Sequence, residues 1–280
     1  RKLPDANLAI ISIPGEYAAE ETSKALEKGL NVFLFSDNVS IEDEKRIKEE
    51  ARSKGLLVMG PDCGTGIIGG LPLAFANVIE KGNIGIVGAS GTGIQVISTI
   101  ISRKGYGITQ AIGTGGRDLS AQIEAVTAIE ALKLLAADND TDVIVFISKP
   151  PAPEVRDKVI ETFKTLGKPV VANFLGDKKR ENHDNIFYTH TLEDTALKTV
   201  EIAEKYKISE KNIRKDIKEI KDIAENKEQR AIKGLYCGGT LAAETGMIIR
   251  DYYGIEDSGS HDKGMMLHYK GHEIIDLGDD

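Results

Sequence analysis

The sequence predicts an α/β protein of doubly wound parallel sheets, and three observations carry that reading. Short apolar runs alternate with amphipathic stretches of helical length along most of the 280 residues. Glycine-rich turns stand where several of those runs end. Strands joined through helices must run parallel, with right-handed crossovers and helices on both faces of the sheet.

In chain order, Leu8 to Ile13 reads as a buried strand, Glu16 to Lys28 as a helix, Asn31 to Phe35 as a strand, Ile41 to Lys54 as a helix and Leu56 to Met59 as a strand. A glycine-rich stretch from Gly60 to Gly82 then reads as a domain boundary. A second alternation follows: strand 84 to 88, helix Ile94 to Ser102, strand 108 to 112, helix Leu119 to Ala137, strand Asp142 to Ser148, helix Pro153 to Leu166 and strand Pro169 to Leu175. A short strand, Ile186 to Tyr188, and a helix, Leu192 to Tyr206, close it. Residues 208 to 230 mix Lys and Glu with isoleucines at helical spacing, which predicts an amphipathic connecting helix. The chain opens at Arg1 without the glycine-rich turn that starts a mononucleotide-binding half, and stops at Asp280 inside a repeat, so it is expected to begin and end within domains.

Charge and length narrow the function classes. Lys and Arg number 36 against 44 Asp and Glu, a formal net charge of −8, which argues against nucleic acid and anionic membranes as partners. No apolar run approaches the ~20 residues of a membrane span. The N-terminus lacks a signal-peptide layout, so a cytoplasmic protein is expected. Cys63 and Cys237 are too few for a disulfide framework or a zinc site, and both are expected to be reduced thiols.

The informative segment is Ile84-Gly-Ile-Val-Gly-Ala-Ser-Gly-Thr-Gly93, a strand that breaks into a glycine turn and restarts as a helix. The first N–H groups of such a helix lack intrahelical acceptors, and the positive end of the helix dipole coincides with them, so a phosphate or acyl phosphate can be held without a lysine. Ser90 and Thr92 add hydroxyls, with Gly91 between them. The spacing fits neither a Walker A loop nor a dinucleotide fingerprint. A tight βα turn with no ligand is the plain alternative. A second cluster, Gly113-Thr-Gly-Gly-Arg-Asp118, ends the next strand on the same sheet edge, where ligands of open α/β sheets bind. Arg117 there is either a cationic helper or a solvated side chain. The junction recurs as Gly238-Gly239-Thr240 after the run from Lys233, and Ile274 to Asp279 repeats the partner strand with its glycine turn. Two such helix starts could point at one anion.

At these residues the sequence resembles the succinyl-CoA synthetase superfamily of NDP-forming acyl-CoA synthetases. Gly60-Pro61-Asp62-Cys63 is similar to its G-P-N-C turn, Gly85 to Thr92 to its G-I-V-S-x-S-G-T segment, and Gly113 to Gly116 to its G-I-G-G turn. Gly234 to Leu241 and Ile274 to Asp280 resemble the FdrA family more narrowly. The resemblance implies a partial CoA-binding Rossmann-like domain at 1–79, a flavodoxin-like ligase domain at 80–207, a helical linker at 208–232 and the start of a second, β-type ligase-like domain at 233–280.

For the site, the resemblance implies cofactor contacts at Pro14, Gly60, Pro61, Asp62, Gly113, Gly115 and Gly116, and anion-handling residues at Ser90, Gly91, Thr92, Gly239 and Thr240. Phosphate or an acyl phosphate is the expected small-molecule ligand and CoA a further candidate; partner subunits and an oligomer are expected. The superfamily carries a phosphohistidine in a G-H-A-G-A loop. Here that interval is Gly176 to Asn185, and His183 has no small neighbours, so a solvated loop histidine is the main reading and a carrier the lesser one. His261, His268 and His272 fit no metal motif, and no metal is expected. Without an ATP-grasp segment, the family reaction implied is carbamoyl transfer between oxalurate and phosphate, giving oxamate and carbamoyl phosphate. A CoA ligase subunit and a non-catalytic metabolite sensor are the alternatives.

Overall fold

A computed structural model describes residues 3–178, 180–205, 231–255, 264–269 and 272–277. The chain divides into two compact units, Arg1–Lys207 and Ile208–Asp280.

The first unit begins with β1 (Leu8–Ile11), α1 (Gly15–Glu27), β2 (Asn31–Leu34), α2 (Ile41–Ser53) and β3 (Val58–Met59), a three-stranded parallel sheet in the order β1-β2-β3. Helix α2 starts where the Ser40 hydroxyl accepts from the Asp43 N–H, with Glu42, Asp43 and Glu44 in its first turn matching the helix dipole. One sheet face, with Val32 and Leu34, packs on α1 and α2 through Leu26 and Ile47. The other presents Phe33 and Met59 to the next sheet.

The glycine-rich stretch read as a domain boundary holds two strands. β4 (Thr65–Ile68) and β5 (Leu71–Ala74) form a hairpin over Gly69-Gly70, both at positive φ, 59° and 83°, as its turn requires. The hairpin joins the second sheet, with β4 antiparallel to β7.

That second sheet is built from β6 (Ile84–Gly88), α3 (Gly91–Arg103), β7 (Ile108–Gly113), α4 (Val126–Ala137), β8 (Val143–Ser148), α5 (Pro153–Phe163), β9 (Val170–Phe174), β10 (Ile186–Tyr188) and α6 (Leu192–Glu204). Its order is β10-β9-β8-β6-β7-β4-β5, and β6 to β10 are parallel. The chain leaves β6 for β7 on one side and returns to β8 on the other, so the switch point falls at the carboxyl end of β6. Val87, Phe146 and Phe174 share one core cluster with Phe33 and Met59 of the first sheet. Each such side chain removed from water contributes roughly 1.5–3 kcal/mol.

Helix α4 starts seven residues later than its apolar pattern predicts, at Val126 rather than Leu119. The Asp118 carboxylate accepts from the N–H groups of Thr127 (3.2 Å) and Ala128 (2.9 Å) and caps the helix from outside. Glu124 and Ala125 are driven into the left-handed region, φ 62° and 57°. The same carboxylate accepts from Lys48 Nζ at 2.7 Å, and that ammonium also donates to Glu44 (2.7 Å) and to the Thr114 carbonyl (2.9 Å). The side chains of Lys48 and Asp118 are wholly buried. Arg117 donates to Glu44 (2.9 Å) and to the Val39 carbonyl (2.7 Å).

The second unit has β11 (Lys233–Tyr236), α7 (Gly239–Tyr253), β12 (Met265–Tyr269) and β13 (His272–Asp276), in the order β11-β13-β12. β11 is parallel to β13, and β12 lies antiparallel on its far edge. β6-β7-β4 has the same layout, so the repeat read from the glycine turns extends to strand arrangement. The segment around His268 supplies the edge strand β12. The linker helix at 208–230, His261 and the Gly278-Asp279 turn lie outside the described residues.

Replacing Asp118 by Ala strands the Lys48 ammonium and uncaps α4, a loss of about 3–5 kcal/mol for a broken buried pair. Denaturant unfolding followed by circular dichroism should show it; a change below about 1 kcal/mol would mean the pair is not the tie described here.

Candidate functional site

The carboxyl edge of the seven-stranded sheet gathers both glycine turns. Gly88 pairs with Gly113 across β6 and β7, and the Thr114 N–H donates to the Gly88 carbonyl at 2.9 Å, which sets the second turn beside the first. Ser90 is the N-cap of α3, in extended conformation (φ −159°, ψ 105°), with its hydroxyl accepting from the Gly93 N–H at 2.9 Å. Ser90 thus satisfies a donor of its own helix. Gly91 and Thr92, the first two helical positions, keep the N–H groups that no intrahelical carbonyl reaches. Space decides the glycines here. A Cβ on Gly88 would stand 2.7 Å from the Ile94 side chain, and one on Gly91 3.0 Å from Thr65 Oγ1.

The turn after β7 brings the two sheets of the unit together. Gly115 sits at φ 84°, and a Cβ there would collide with the Pro61 carbonyl oxygen. Gly113 is equally confined, a Cβ falling 2.6 Å from Cys63 Sγ. So Gly60 and Pro61, which follow β3, abut Gly115, and Cys63 and Thr65 abut Gly113. Neither the Gly115 nor the Gly116 N–H has a hydrogen-bond acceptor among the described residues. Successive backbone donors around a left-handed glycine form a small nest suited to an anion. Pro14 caps α1 at the carboxyl edge of the first sheet, where the Ile13 N–H donates to Ser36 Oγ (3.0 Å) and the Asp62 N–H to the Ser36 carbonyl (2.9 Å).

Electrostatics at this edge are mixed. Burial, then the charge of Asp37, pushes the Asp62 carboxyl above its usual range, against the pull of Lys149 and Arg117. Lys149 is exposed just beyond β8 and makes no hydrogen bond or ion pair with a described residue. It stands two residues past Ile147, the register partner of Gly88 and acceptor of the Ala89 N–H at 2.9 Å. Arg117 is held by Glu44 and Val39, so its cationic role is structural. Burial pushes the Cys63 thiol up to about 12; its sulfur lies 3.4 Å from the Gly113 carbonyl, which makes it packing rather than a nucleophile.

In the first unit, His183 and His190 flank β10. His183 lies on a tight turn leading into β10, its N–H and carbonyl exchanging bonds with Ile186. Ile186 is level with Val170, Ile144 and Gly85, at the amino edge. Five residues of extended chain, on the order of 16 Å, separate that level from Ser90. His183 is exposed and pairs with Asp184 at 2.8 Å. In the second unit, Gly238 caps α7 with φ −170° and ψ 106°, close to the values of Ser90, and Gly239 and Thr240 open the helix. Gly238 brings no side chain to the cap. His272 is buried, its Nδ1 accepting from the Ile232 N–H at 3.0 Å.

A cleft of about 460 Å³ lies away from the glycine turns, between β9, β10 and α6, with Phe174, Tyr188, His190 and Leu197 on its walls. Sequence reasoning missed Lys149, Lys48 and the hairpin. Lys48 was detectable: with Glu44 it occupies the same stripe of α2 as Ile47 and Ala51, where only a paired charge can be buried. The hairpin is joined to α3 by Gln95, which donates to the Phe75 carbonyl (2.9 Å), and by Asn77, which donates to Thr99 (2.7 Å).

Comparison with known proteins places the chain beside CoA-binding and ligase sequences. Residues 79–176 match the family model described as CoA binding domain. The match falls on the seven-stranded sheet, beyond the Gly60–Asp62 turn. The uncharacterised protein YahF of Escherichia coli (strain K12) is 44% identical over 262 residues, covering 91% of this chain and 50% of YahF. Subunit alpha 2 of the ADP-forming succinate–CoA ligase of Archaeoglobus fulgidus is 27% identical over 178 residues, 61% of this chain and 60% of that subunit. The chain thus has succinate–CoA ligase α subunits among its homologues. Among solved structures, a dinucleotide-forming acetyl-coenzyme A synthetase of Ca. Korarchaeum cryptofilum, in complex with phosphate and ADP, superposes with a TM-score of 0.56 at 17% identity, covering 90% of this chain and 57% of that one. The fold is that of the acyl-CoA synthetases. The chain spans half to three fifths of the length of these curated relatives. No helix among the described residues is long and apolar enough to cross a membrane.

The two thiols should differ in reactivity. At pH 8 a maleimide should label exposed Cys237 and leave Cys63 untouched, so that Cys237→Ser abolishes labelling of the native protein. Mass spectrometry reads the outcome, and label on Cys63 of folded protein would contradict its burial.

Proposed function

We propose that the chain is the α-type part of an acyl-CoA synthetase-like protein of the FdrA kind, and that it holds a phosphate or acyl phosphate at the carboxyl edge formed by Ser90–Thr92 and Thr114–Gly116. The observation that carries this reading is the pair of N–H groups on Gly115 and Gly116, beside the start of α3, that have no acceptor among the described residues. Gly91 and Thr92 add donors at the positive end of α3, and Lys149 adds charge. Such an array stabilises charge that develops on a phosphate, or on the oxyanion formed when a nucleophile attacks an acyl carbon. Pro14, Gly60, Pro61, Asp62 and Gly113 line the adjoining turns, where CoA is the candidate second ligand. Gly239 and Thr240 form a second helix start of the same chemistry.

The reaction that suits this site is carbamoyl transfer, the phosphate-dependent cleavage of oxalurate to oxamate and carbamoyl phosphate, with partner subunits completing the enzyme. It needs a phosphate cradle and no histidine carrier. A second reading, an ADP-forming CoA ligase subunit, is favoured by the names of the relatives; the amino-edge place of His183 speaks against that residue as its carrier.

Isothermal titration of the full-length protein with inorganic phosphate should show saturable binding. Lys149→Met should weaken it about tenfold, or about 1.4 kcal/mol. Ser90→Ala should cost about 1 kcal/mol of stability through the lost cap and leave phosphate affinity nearly unchanged. With partner subunits present, phosphate-dependent release of oxamate from oxalurate is expected. ATP-dependent CoA thioester formation would instead select the ligase, and neither product would select a metabolite sensor.

A further inference from the structure

We infer that Lys48 is a positioning residue for the anion-binding turn: by holding the Thr114 carbonyl, it fixes the direction of the Gly115 N–H. The inference rests on the reading of that turn as an anion site, and adds a residue from a different sheet to its machinery.

A peptide unit is planar and trans, so the Thr114 carbonyl and the Gly115 N–H point in opposite directions. The carbonyl accepts from Lys48 Nζ at 2.9 Å, towards α2. The Gly115 N–H is thereby turned away from α2 and has no acceptor among the described residues. An ammonium has three protons, and Lys48 spends all three, on Glu44, Thr114 and Asp118. With its side chain wholly buried, no water can replace a lost partner, so a flip of the Thr114–Gly115 peptide would strand one donor of a buried cation. The turn is clamped from its other side as well, since Gly115 abuts the Pro61 carbonyl and cannot back away. Asp118 completes the clamp by capping α4 with the same carboxylate that binds Lys48.

The role explains why a costly buried charge is retained. Four charges of opposite sign on Glu44, Lys48, Arg117 and Asp118 gather around one turn, and an apolar cluster of the same volume would pack α2 as well or better. It would not orient a peptide. The carbonyl of Thr114 needs a donor from the α2 side, and Lys48 is the residue there that reaches it.

The test uses the isotopically labelled full-length protein. In the wild type, a scalar coupling across the hydrogen bond between Lys48 Nζ and the Thr114 carbonyl carbon is expected, and its absence under conditions where other buried bonds are seen overturns the inference. In Lys48→Met/Glu44→Gln/Asp118→Asn, which removes the buried charges together and keeps an acceptor for the α4 cap, the Gly115 and Gly116 amide resonances should move or broaden. Those of Gly85 and Val145, in the same sheet, should stay. Phosphate affinity should fall at least tenfold. Unchanged Gly115 and Gly116 resonances with unchanged phosphate affinity in the folded variant would also overturn the inference. If the wild type binds no phosphate, the anion site falls, and the coupling and the unliganded spectra still decide whether Lys48 sets the peptide.

Discussion

One buried ammonium group organises this carboxyl edge. Lys48 comes from α2, on the outer face of the three-stranded sheet, and bonds to the turn that ends β7 of the other sheet. Through Asp118 it also reaches the start of α4, whose apolar face fills the space between the sheets. Removing water from an ion this deep is tolerable when every proton has an acceptor, and here each does. The arrangement therefore specifies position more than it adds stability. Hydrophobic contacts between Phe33, Met59 and the larger core would hold the sheets together without it. They would leave the turn of Gly113 to Gly116 free to choose among several backbone conformations.

The hydrophobic pattern carried most of the fold, because burial is the term that strands and helices answer to. Runs such as Ile84 to Gly88 and Val143 to Ile147 carry no polar side chain, as a strand covered on both faces requires. What the pattern could not show was the effect of polar partners distant in sequence. Leu119 to Ala125 is apolar enough for helix, yet Asp118 caps α4 from beyond it and the chain curls instead. Gly69-Gly70 lies in a glycine-rich stretch that reads as a linker. Its two positive φ angles make a hairpin because the flanking residues find a free edge on β7.

The candidate site was legible in outline for the same reason, and its side-chain bonds were not, for a different one. Glycine turns at strand ends are local, so Gly88 to Gly93 and Gly113 to Gly116 could be read together from their spacing alone. Side-chain roles are not local. Ser90 reads as a ligand for an anion, and its role as acceptor for Gly93 was not visible; Arg117 reads as helper or solvated, and its bonds to Glu44 and Val39 were not visible either. Lys149 carried no motif, and only the pairing of Gly88 with Ile147 places it near the turn.

Strand direction bears most directly on mechanism. In a parallel sheet the two edges are chemically distinct, because helix starts and βα turns collect at one and αβ turns at the other. A carrier histidine must visit the βα edge, where helix dipoles favour its phosphoryl group. His183 enters β10 from the opposite edge, tied to Ile186 by a reciprocal pair of backbone bonds. Moving it would break that turn and carry it past the full height of the sheet. His190, which follows β10 at the βα edge, lines the cleft against α6 rather than the glycine turns, so under the proposed function the donors of Gly115 and Gly116 suit a ligand that arrives already carrying its phosphate.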